Sequence, residues 1–157
     1  MPEEIAAGIY RIPVPLVGNP LKELNAYLLK GEDGNLLIDT GFRQPACREA
    51  LFAGLRELGI RRGETEVLLT HLHSDHSGLA PEAAGEQTIY ISEVDRLSLD
   101  DRAYRDRYWN TMEERFREEG FPRHLMANMN ETNPARSMAP PAGGHYLGLA
   151  DGQILEK

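Results

Sequence analysis

The segment that decides how this chain is interpreted is residues 70–78, Thr70-His71-Leu72-His73-Ser74-Asp75-His76-Ser77-Gly78. This histidine loop holds three of the five histidines of the protein, with an aspartate among them. The apolar run 67–69 comes directly before it, so the loop begins where a buried strand is expected to end. A cluster of this kind on a loop indicates a functional site.

The four candidate ligands of the loop are of the types that bind divalent metal ions. His71 and His73 are two residues apart, and in extended backbone this spacing places both side chains on the same side. Imidazole nitrogens bind zinc at about 2.0–2.1 Å. Asp75 and His76 are adjacent, so in a turn they can point differently and bind a second ion. Gly78 is expected to let the backbone turn tightly beneath the site.

Two such ions about 3.5–4 Å apart would share a water, make it a nucleophile near neutral pH and polarise a substrate oxygen. The competing interpretation is a polar loop in which histidines congregate by chance. Four residues of ligand type at this spacing argue against chance.

Upstream of the loop the pattern predicts three strands, at residues 9–14, 25–30 and 35–39. The turn residues 31–34 join the last two strands as a hairpin. Because Pro13 cannot donate to a β-ladder, we expect the first strand to lie at a sheet edge or to end there.

A predicted helix begins at Pro45 and is capped by Gly59, and a strand at 66–70 follows it. This order is a βαβ unit, which implies a parallel strand pair. After the histidine loop, residues 79–84 are predicted to be a short helix and residues 88–91 another parallel strand.

From Ser92, a capping residue, the pattern is helical. One helix, ended by Gly120, carries an apolar residue every four positions, at Tyr104, Tyr108, Met112 and Phe116. We call these four residues the apolar stripe and interpret it as a packed face, the alternative being a lid or substrate wall beside the metals. Trp109, off the stripe, is the residue we most expect in a pocket or interface, with Tyr108 beside it.

The remainder of the chain is predicted to hold a helix at 122–130, an irregular loop at 133–144 and a strand at 145–149. Residues 150–153 are predicted to be a hairpin turn, with the return strand starting at 154. A hairpin that stops at residue 157 leads us to expect that the chain is a fragment of a longer domain.

His71-x-His73-x-Asp75-His76, with Thr70 before it and Gly78 after it, resembles the metal-binding motif of the metallo-β-lactamase-fold hydrolases. Asp39-Thr40-Gly41, after an apolar strand about thirty residues upstream, is similar to the second marker of that superfamily. The resemblance covers about residues 10–91 and concerns only the first half of the family's four-layer αββα sandwich.

The resemblance implies a fold of the α+β or α/β class, in which a mixed sheet is flanked by helices. It divides the chain into a core at 1–91, a helical insertion or lid at 92–142 after the metal loop, and the start of a hairpin at 143–157. A third histidine for the first metal, a bridging aspartate and a last histidine are expected on a second half, because neither His124 nor His145 lies in the family's context.

The site residues follow from the same resemblance. His71 and His73 would bind the first metal, and Asp75 and His76 the second, with Asp75 also handling the proton of the attacking water. Asp39 would be a carboxylate that braces the loop from behind the ligands, and Thr70 and Gly78 would support the ligands by position. A turn carboxylate ahead of a helix is the alternative interpretation of Asp39.

The expected activity is hydrolysis of a thioester, ester or lactone carbonyl by a metal-bound hydroxide, as in relatives that resemble hydroxyacylglutathione hydrolase. Two zinc ions are expected in the intact domain, with iron or manganese as other divalent metals. Lactonase and β-lactamase activities are the alternatives within the family. The alternative of another class is a non-catalytic half-domain with an incomplete metal site, which self-associates through its exposed sheet face to form a homo-oligomer.

Composition narrows the partners and the compartment. A formal net charge of −8 argues against nucleic acid as a partner, and no apolar run is long enough for a membrane span. The acidic N-terminus does not resemble a secretory signal, and the single cysteine is typical of a reducing compartment, so a small-molecule substrate in the cytoplasm is expected.

Overall fold

A seven-stranded mixed sheet forms the centre of this computed structural model, which describes residues 1–127 and 132–155. The strands cross the sheet in chain order: β1 Glu3–Ala6, β2 Ile9–Pro15, β3 Glu23–Lys30, β4 Asn35–Ile38, β5 Glu66–Leu68, β6 Thr88–Ser92 and β7 His145–Leu149. The pairs β1–β2, β2–β3 and β3–β4 are antiparallel, whereas β5, β6 and β7 each run parallel to the strand before. The predicted hairpin and parallel pairs are therefore confirmed.

Seven helices connect or follow the strands in the part of the chain that the structure describes: α1 Pro45–Glu57, α2 Ser74–Ser77, α3 Ala80–Ala84, α4 Glu93–Asp100, α5 Arg102–Glu118, α6 Arg123–Ala127 and α7 Pro134–Ser137. Helix α1 begins at Pro45 as predicted, and Gly59 follows it with a left-handed φ of 78°. The N–H groups of Gly59 and Ile60 donate to the carbonyls of Arg56 and Leu55, which is the Schellman arrangement that ends a helix.

The core lies on one face of the sheet, beneath α1, α3 and α4. Leu28, Leu37, Val67 and Ile89 stand opposite one another across four strands, and each is fully buried. Burying such a row contributes roughly 1.5–3 kcal/mol per side chain, which makes this face the main source of stability.

The opposite face of the sheet is only partly covered. Tyr27, Ile38, Leu68, Tyr90 and Leu147 form the corresponding row, and Leu147 is 49% exposed. We call this row and its surroundings the open face. An apolar sheet face left in contact with water marks a surface for further packing.

The first strand differs from its prediction. Strand β2 continues through Pro13 to Pro15 and is second in the sheet, because residues 3–6 form an additional strand, β1. The prediction of an end or edge at Pro13 was wrong for the strand as a whole. Proline is tolerated at position 13 because β1 pairs only with residues 9–11. Pro13 therefore has a strand neighbour on one side only, where it lies opposite Asn25 of β3.

Beyond residue 120 the structure differs from the prediction in two places and agrees with it in a third. Residues 133–144 are not entirely irregular, because Asn133 caps α7 by accepting a hydrogen bond from the Ala135 N–H. The predicted return strand is absent from residues 154–155, where Leu155 instead lines a shallow cavity with Leu29 and Leu36 on the open face. The predicted helix 122–130 is observed as α6, and its residues 128–130 lie outside the described residues.

The prediction that the apolar stripe of α5 is a packed face was wrong. Helix α5 has no buried residue, and Tyr108 is 52% exposed. Helix α5 packs mainly against α4 and lies beyond the reach of the sheet, so its apolar side is left near the surface. No described helix is both long and apolar enough to cross a membrane.

Candidate metal centre

The histidine loop lies at the carboxyl ends of the parallel strands. Asp39 follows β4 and the loop follows β5, while Leu69 donates its N–H to the Tyr90 carbonyl of β6. Open α/β sheets place their ligand sites at this edge, because loops from neighbouring strands meet there. The strand order therefore brings together two segments that are about thirty residues apart in sequence.

Asp39 is the residue that fixes the loop. It is buried, 4% exposed, and has a left-handed φ of 57°, which Asp adopts more readily than most residues. Its Oδ1 accepts the Thr70 N–H at 2.9 Å, and its Oδ2 accepts the Thr70 hydroxyl at 2.8 Å and the His76 Nδ1–H at 2.8 Å. Burial opposes its ionisation, but the hydrogen bonds from His76 and Thr70 outweigh burial and lower the pKa of the Asp39 carboxyl.

Thr40 fixes the same loop from its other side. Both its N–H and its hydroxyl donate to the His76 carbonyl, at 2.8 and 2.6 Å, and its hydroxyl oxygen accepts the Leu79 N–H at 3.3 Å. Thr40 is fully buried, so these bonds are shielded from water. Asp39 and Thr40 together orient both the ring and the backbone of His76.

The protonation of the histidines differs between the two sides of the cluster. Burial, and then the neighbouring charges of His76 and His73, lower the pKa of His71. Burial alone would lower the pKa of His76, but its hydrogen bond to Asp39 and the charges of Asp39 and Asp75 raise it. The neutral form of His71 is the form that binds metal.

The three imidazole rings lie close together. The ring centroid of His71 is 4.6 Å from that of His73 and 4.1 Å from that of His76, and Asp75 Oδ2 is 3.8 Å from His76 Nε2. With Nδ1 of His76 bonded to Asp39, Nε2 is the nitrogen that can bind a metal, a common arrangement for metal-binding histidines. The donor set therefore fits a divalent ion in chemistry.

The side chains of these donors do not converge on a single metal position. Among residues 1–127 and 132–155, no three His, Cys, Asp or Glu side chains are arranged to hold one ion together. His145 is a strand residue near Glu86, and His124 lies on α6, so neither joins the cluster.

Gly78 is required for a different reason from the one predicted. Its φ of −55° and ψ of −37° are ordinary helical values, so its backbone needs no special freedom. A Cβ there would lie 2.7 Å from the Ser74 carbonyl oxygen and 2.8 Å from both the Arg43 nitrogen and the Gly41 carbonyl oxygen. Gly78 thus permits the loop to pack against the Asp39–Gly41 segment.

Three further residues support the loop, and the sequence patterns did not predict this role for them. The Ser77 hydroxyl donates to the Leu72 and His73 carbonyls, and the Ser74 hydroxyl donates to the Pro134 carbonyl at 2.9 Å. Asp95 Oδ2 accepts the Leu72 N–H at 3.2 Å. Asp95 and Pro134 are distant in sequence, so only the fold reveals their contacts with the loop.

Two cavities adjoin α5, and one of them also adjoins the histidine loop. One, of about 290 Å³, has His73 and Ser74 in its wall and Tyr108 and Trp109 opposite them. A larger one, of about 570 Å³, shares Trp109 but contains no histidine. Trp109 also contacts Tyr108 edge to face, with ring centroids 5.2 Å apart.

Comparison with known proteins places these features in a family. The family model described as "Metallo-beta-lactamase superfamily" matches residues 22–132, which include Asp39 and the histidine loop. The chain is 37% identical over 84 residues to the "Lactamase-like protein adaB" of Aspergillus niger, a match that covers 51% of this chain and 25% of that protein.

Two solved structures show the same architecture. A metallo-beta-lactamase family protein from Thermus thermophilus is 31% identical with a TM-score of 0.74, over 98% of this chain and 49% of that one. BJP-1, a subclass B3 metallo-beta-lactamase of Bradyrhizobium japonicum, is 19% identical with a TM-score of 0.63, over 99% and 47%. The chain thus spans about half the length of these structures and a quarter of the curated relative.

Proposed function

The chain belongs to the metallo-β-lactamase superfamily, and from that premise we propose that it supplies one half of the active site of a metal-dependent hydrolase. Zinc is the expected ion, with iron or manganese as alternatives. The substrate is a small molecule with a thioester, ester or lactone carbonyl. The expected location is the cytoplasm.

The observation that supports this proposal best is the hydrogen bonding of Asp39. A buried carboxylate that orients His76 and at the same time holds Thr70 is a means of fixing ligands before metal arrives. Burying a carboxylate and holding Asp39 in a left-handed conformation both cost free energy, and such costs are typical of functional sites.

The roles of the loop residues are those that membership of the superfamily implies, and their donor chemistry and spacing agree with these roles. We assign His71 and His73 to a first ion, and Asp75 and His76 to a second. Asp75, beside His76 and partly exposed, would accept the proton of the attacking water. When bound, such ions lower the pKa of a water and polarise a substrate carbonyl oxygen.

In a thioester, the carbonyl carbon forms a new bond to the water oxygen and loses its bond to sulfur. The water proton passes through Asp75 to the departing thiolate, which leaves a carboxylic acid and a thiol. We place thioesters first, and a lactone or a β-lactam is the alternative substrate.

Metal analysis and hydrolysis assays on the chain test this proposal. We expect zinc to bind the chain, and expect His73→Ala to weaken zinc binding at least tenfold, because it removes an imidazole ligand. His145→Ala is the matched control, because His145 is an exposed histidine outside the cluster. Equal zinc binding by both variants and the wild type would contradict the assignment of the ligands.

A second candidate function is a non-catalytic half-domain that self-associates. The exposed side of Leu147 on the open face favours it, as do donors that do not converge on one ion within the described residues. Less than one zinc per chain together with a stable dimer would support this candidate. Two bound ions with measurable thioester or lactone turnover would exclude it.

A further inference from the structure

We propose that the 290 Å³ cavity between the histidine loop and α5 binds the uncharged apolar acyl group of the substrate, next to the hydrolysed carbonyl. This inference rests on the proposed function and names the substrate class that the site would accept. We call the cavity the acyl cavity.

The position of the acyl cavity links it to the reacting centre. His73, one of the assigned metal ligands, and Ser74 of the histidine loop form part of its wall, so the cavity adjoins the proposed metal site. Ser74 is in turn tied to α7 through Pro134 at 2.9 Å, and Asp95 of α4 holds the Leu72 N–H at 3.2 Å. The wall and the histidine loop are therefore one connected structure.

The lining of the acyl cavity is mainly apolar. Its apolar and aromatic side chains include Leu72, Leu99, Tyr104, Tyr108, Trp109 and Pro140. Tyr108 is half exposed, at a position of α5 where a polar residue would also be tolerated. Partly exposed aromatic side chains gathered around one concavity are typical of a ligand site.

Charge in the lining does not favour an ionic group. Arg105 and Asp95 are both lining residues and carry opposite charges, so the lining does not present one sign of charge. The Asp95 carboxylate already accepts the Leu72 N–H. An ion placed among the apolar side chains of the cavity would lose its hydration, whereas an alkyl or aryl group gains by leaving water.

The size of the acyl cavity limits what it can hold. At about 290 Å³ it is slightly smaller than the range of roughly 300–1,000 Å³ that is usual for small-molecule sites. It therefore fits one portion of a substrate. The thiol or alcohol portion would extend away from the cavity, on the other side of the carbonyl.

Trp109 provides a direct measurement, because it is the single tryptophan of the protein and lies in the cavity wall. Butyrate, hexanoate and octanoate, which are products of the proposed reaction, are titrated while Trp109 fluorescence is recorded. We expect saturable changes and an affinity that increases about fourfold for each added CH₂ until the cavity is full.

Ser98→Phe fills the acyl cavity from α4 and is expected to weaken octanoate binding at least tenfold. Thr111→Phe, at an exposed position of α5 outside the cavity, is the matched control and should change it less than twofold. If Ser98→Phe loses its helical circular dichroism, Tyr108→Asp replaces it, because a charge in the same wall opposes the alkyl chain.

The outcomes separate this inference from the proposed function. Affinities that do not depend on chain length, or equal binding by the Ser98→Phe and Thr111→Phe variants, would overturn the acyl cavity even if thioesters are hydrolysed. Chain-length-dependent binding without turnover would support the acyl cavity and count against the hydrolase.

Discussion

Among single residues, Asp39, Thr40 and Gly78 determine the conformation of the histidine loop: the first two form hydrogen bonds to it, and the third lets it pack closely against residues 39–41. The spacing of His71 and His73 was readable because two imidazoles one residue apart are rarely accidental. The joint role of Asp39 and Thr40 in hydrogen bonding to the histidine loop could not be predicted from the sequence, because it depends on how β4 and β5 align. We predicted that Gly78 is needed for a tight turn, whereas the structure requires glycine there because a side chain would not fit.

Replacing Asp39 by asparagine tests the carboxylate at constant shape. Asparagine tolerates the left-handed φ of 57°, so only the charge and one acceptor are lost. Hydrogen bonds to charged groups contribute about 1.5–3 kcal/mol, so we expect the free energy of unfolding to fall by about 2 kcal/mol in urea titrations. Asp33→Asn, in the exposed β3–β4 turn, is the control and should change little. Equal stability of the two variants would show that Asp39 is a turn residue only.

Gly78→Ala tests the close packing of the loop. The added Cβ would meet three backbone atoms within 2.8 Å, and backbone cannot rotate away as a side chain can. We expect a loss of about 3 kcal/mol in unfolding free energy, at the upper end for overpacking. Gly18→Ala, with a φ of 80° and no atom near its Cβ, carries only backbone strain and should cost about 1 kcal/mol. The reverse order of the two losses would contradict the steric explanation.

At the scale of helices and strands, local signals located the elements well and their surroundings poorly. Pro45, Gly59, Ser92 and Gly120 each act at the helix end where the sequence placed them, because caps depend on neighbouring backbone alone. The apolar stripe has helical spacing, but spacing cannot show whether a partner lies opposite. Strand β1 was missed because residues 3–6 carry two glutamates and no buried residue.

The exposed position of α5 predicts that it contributes little to stability. Tyr108→Ala should lower the unfolding free energy by less than about 1 kcal/mol, since the side chain is 52% exposed. Leu51→Ala, in the fully buried face of α1, should cost about 2–5 kcal/mol. Both are measured by urea unfolding followed by far-ultraviolet circular dichroism. A large loss for Tyr108→Ala would mean that α5 belongs to the core after all.

At the scale of the whole molecule, a mixed sheet flanked by helices was predicted from the resemblance to the superfamily, and the βαβ order supported its parallel strand pairs. The face that the helices leave open could not be predicted in detail from pattern. Ile38 and Leu68 are apolar and lie next to buried apolar residues, so the sequences of their strands resemble those of a sheet that is covered on both sides. Only the register of five strands shows that they join Leu147 in one apolar row.

This row leads to a prediction about self-association. Two copies that bury the open face would remove apolar surface from water, and Leu147, 49% exposed on the edge strand β7, would be buried with it. We expect the wild-type chain to dimerise in sedimentation experiments. The dimer dissociation constant of Leu147→Lys should be at least tenfold higher, because burying an unpaired ammonium group is costly. Leu21→Lys, at a 70% exposed loop leucine, is the matched control and should associate like the wild type. If all three remain monomeric at millimolar concentration, the open face does not pair with itself. If both variants dimerise equally, the contact lies elsewhere on the chain.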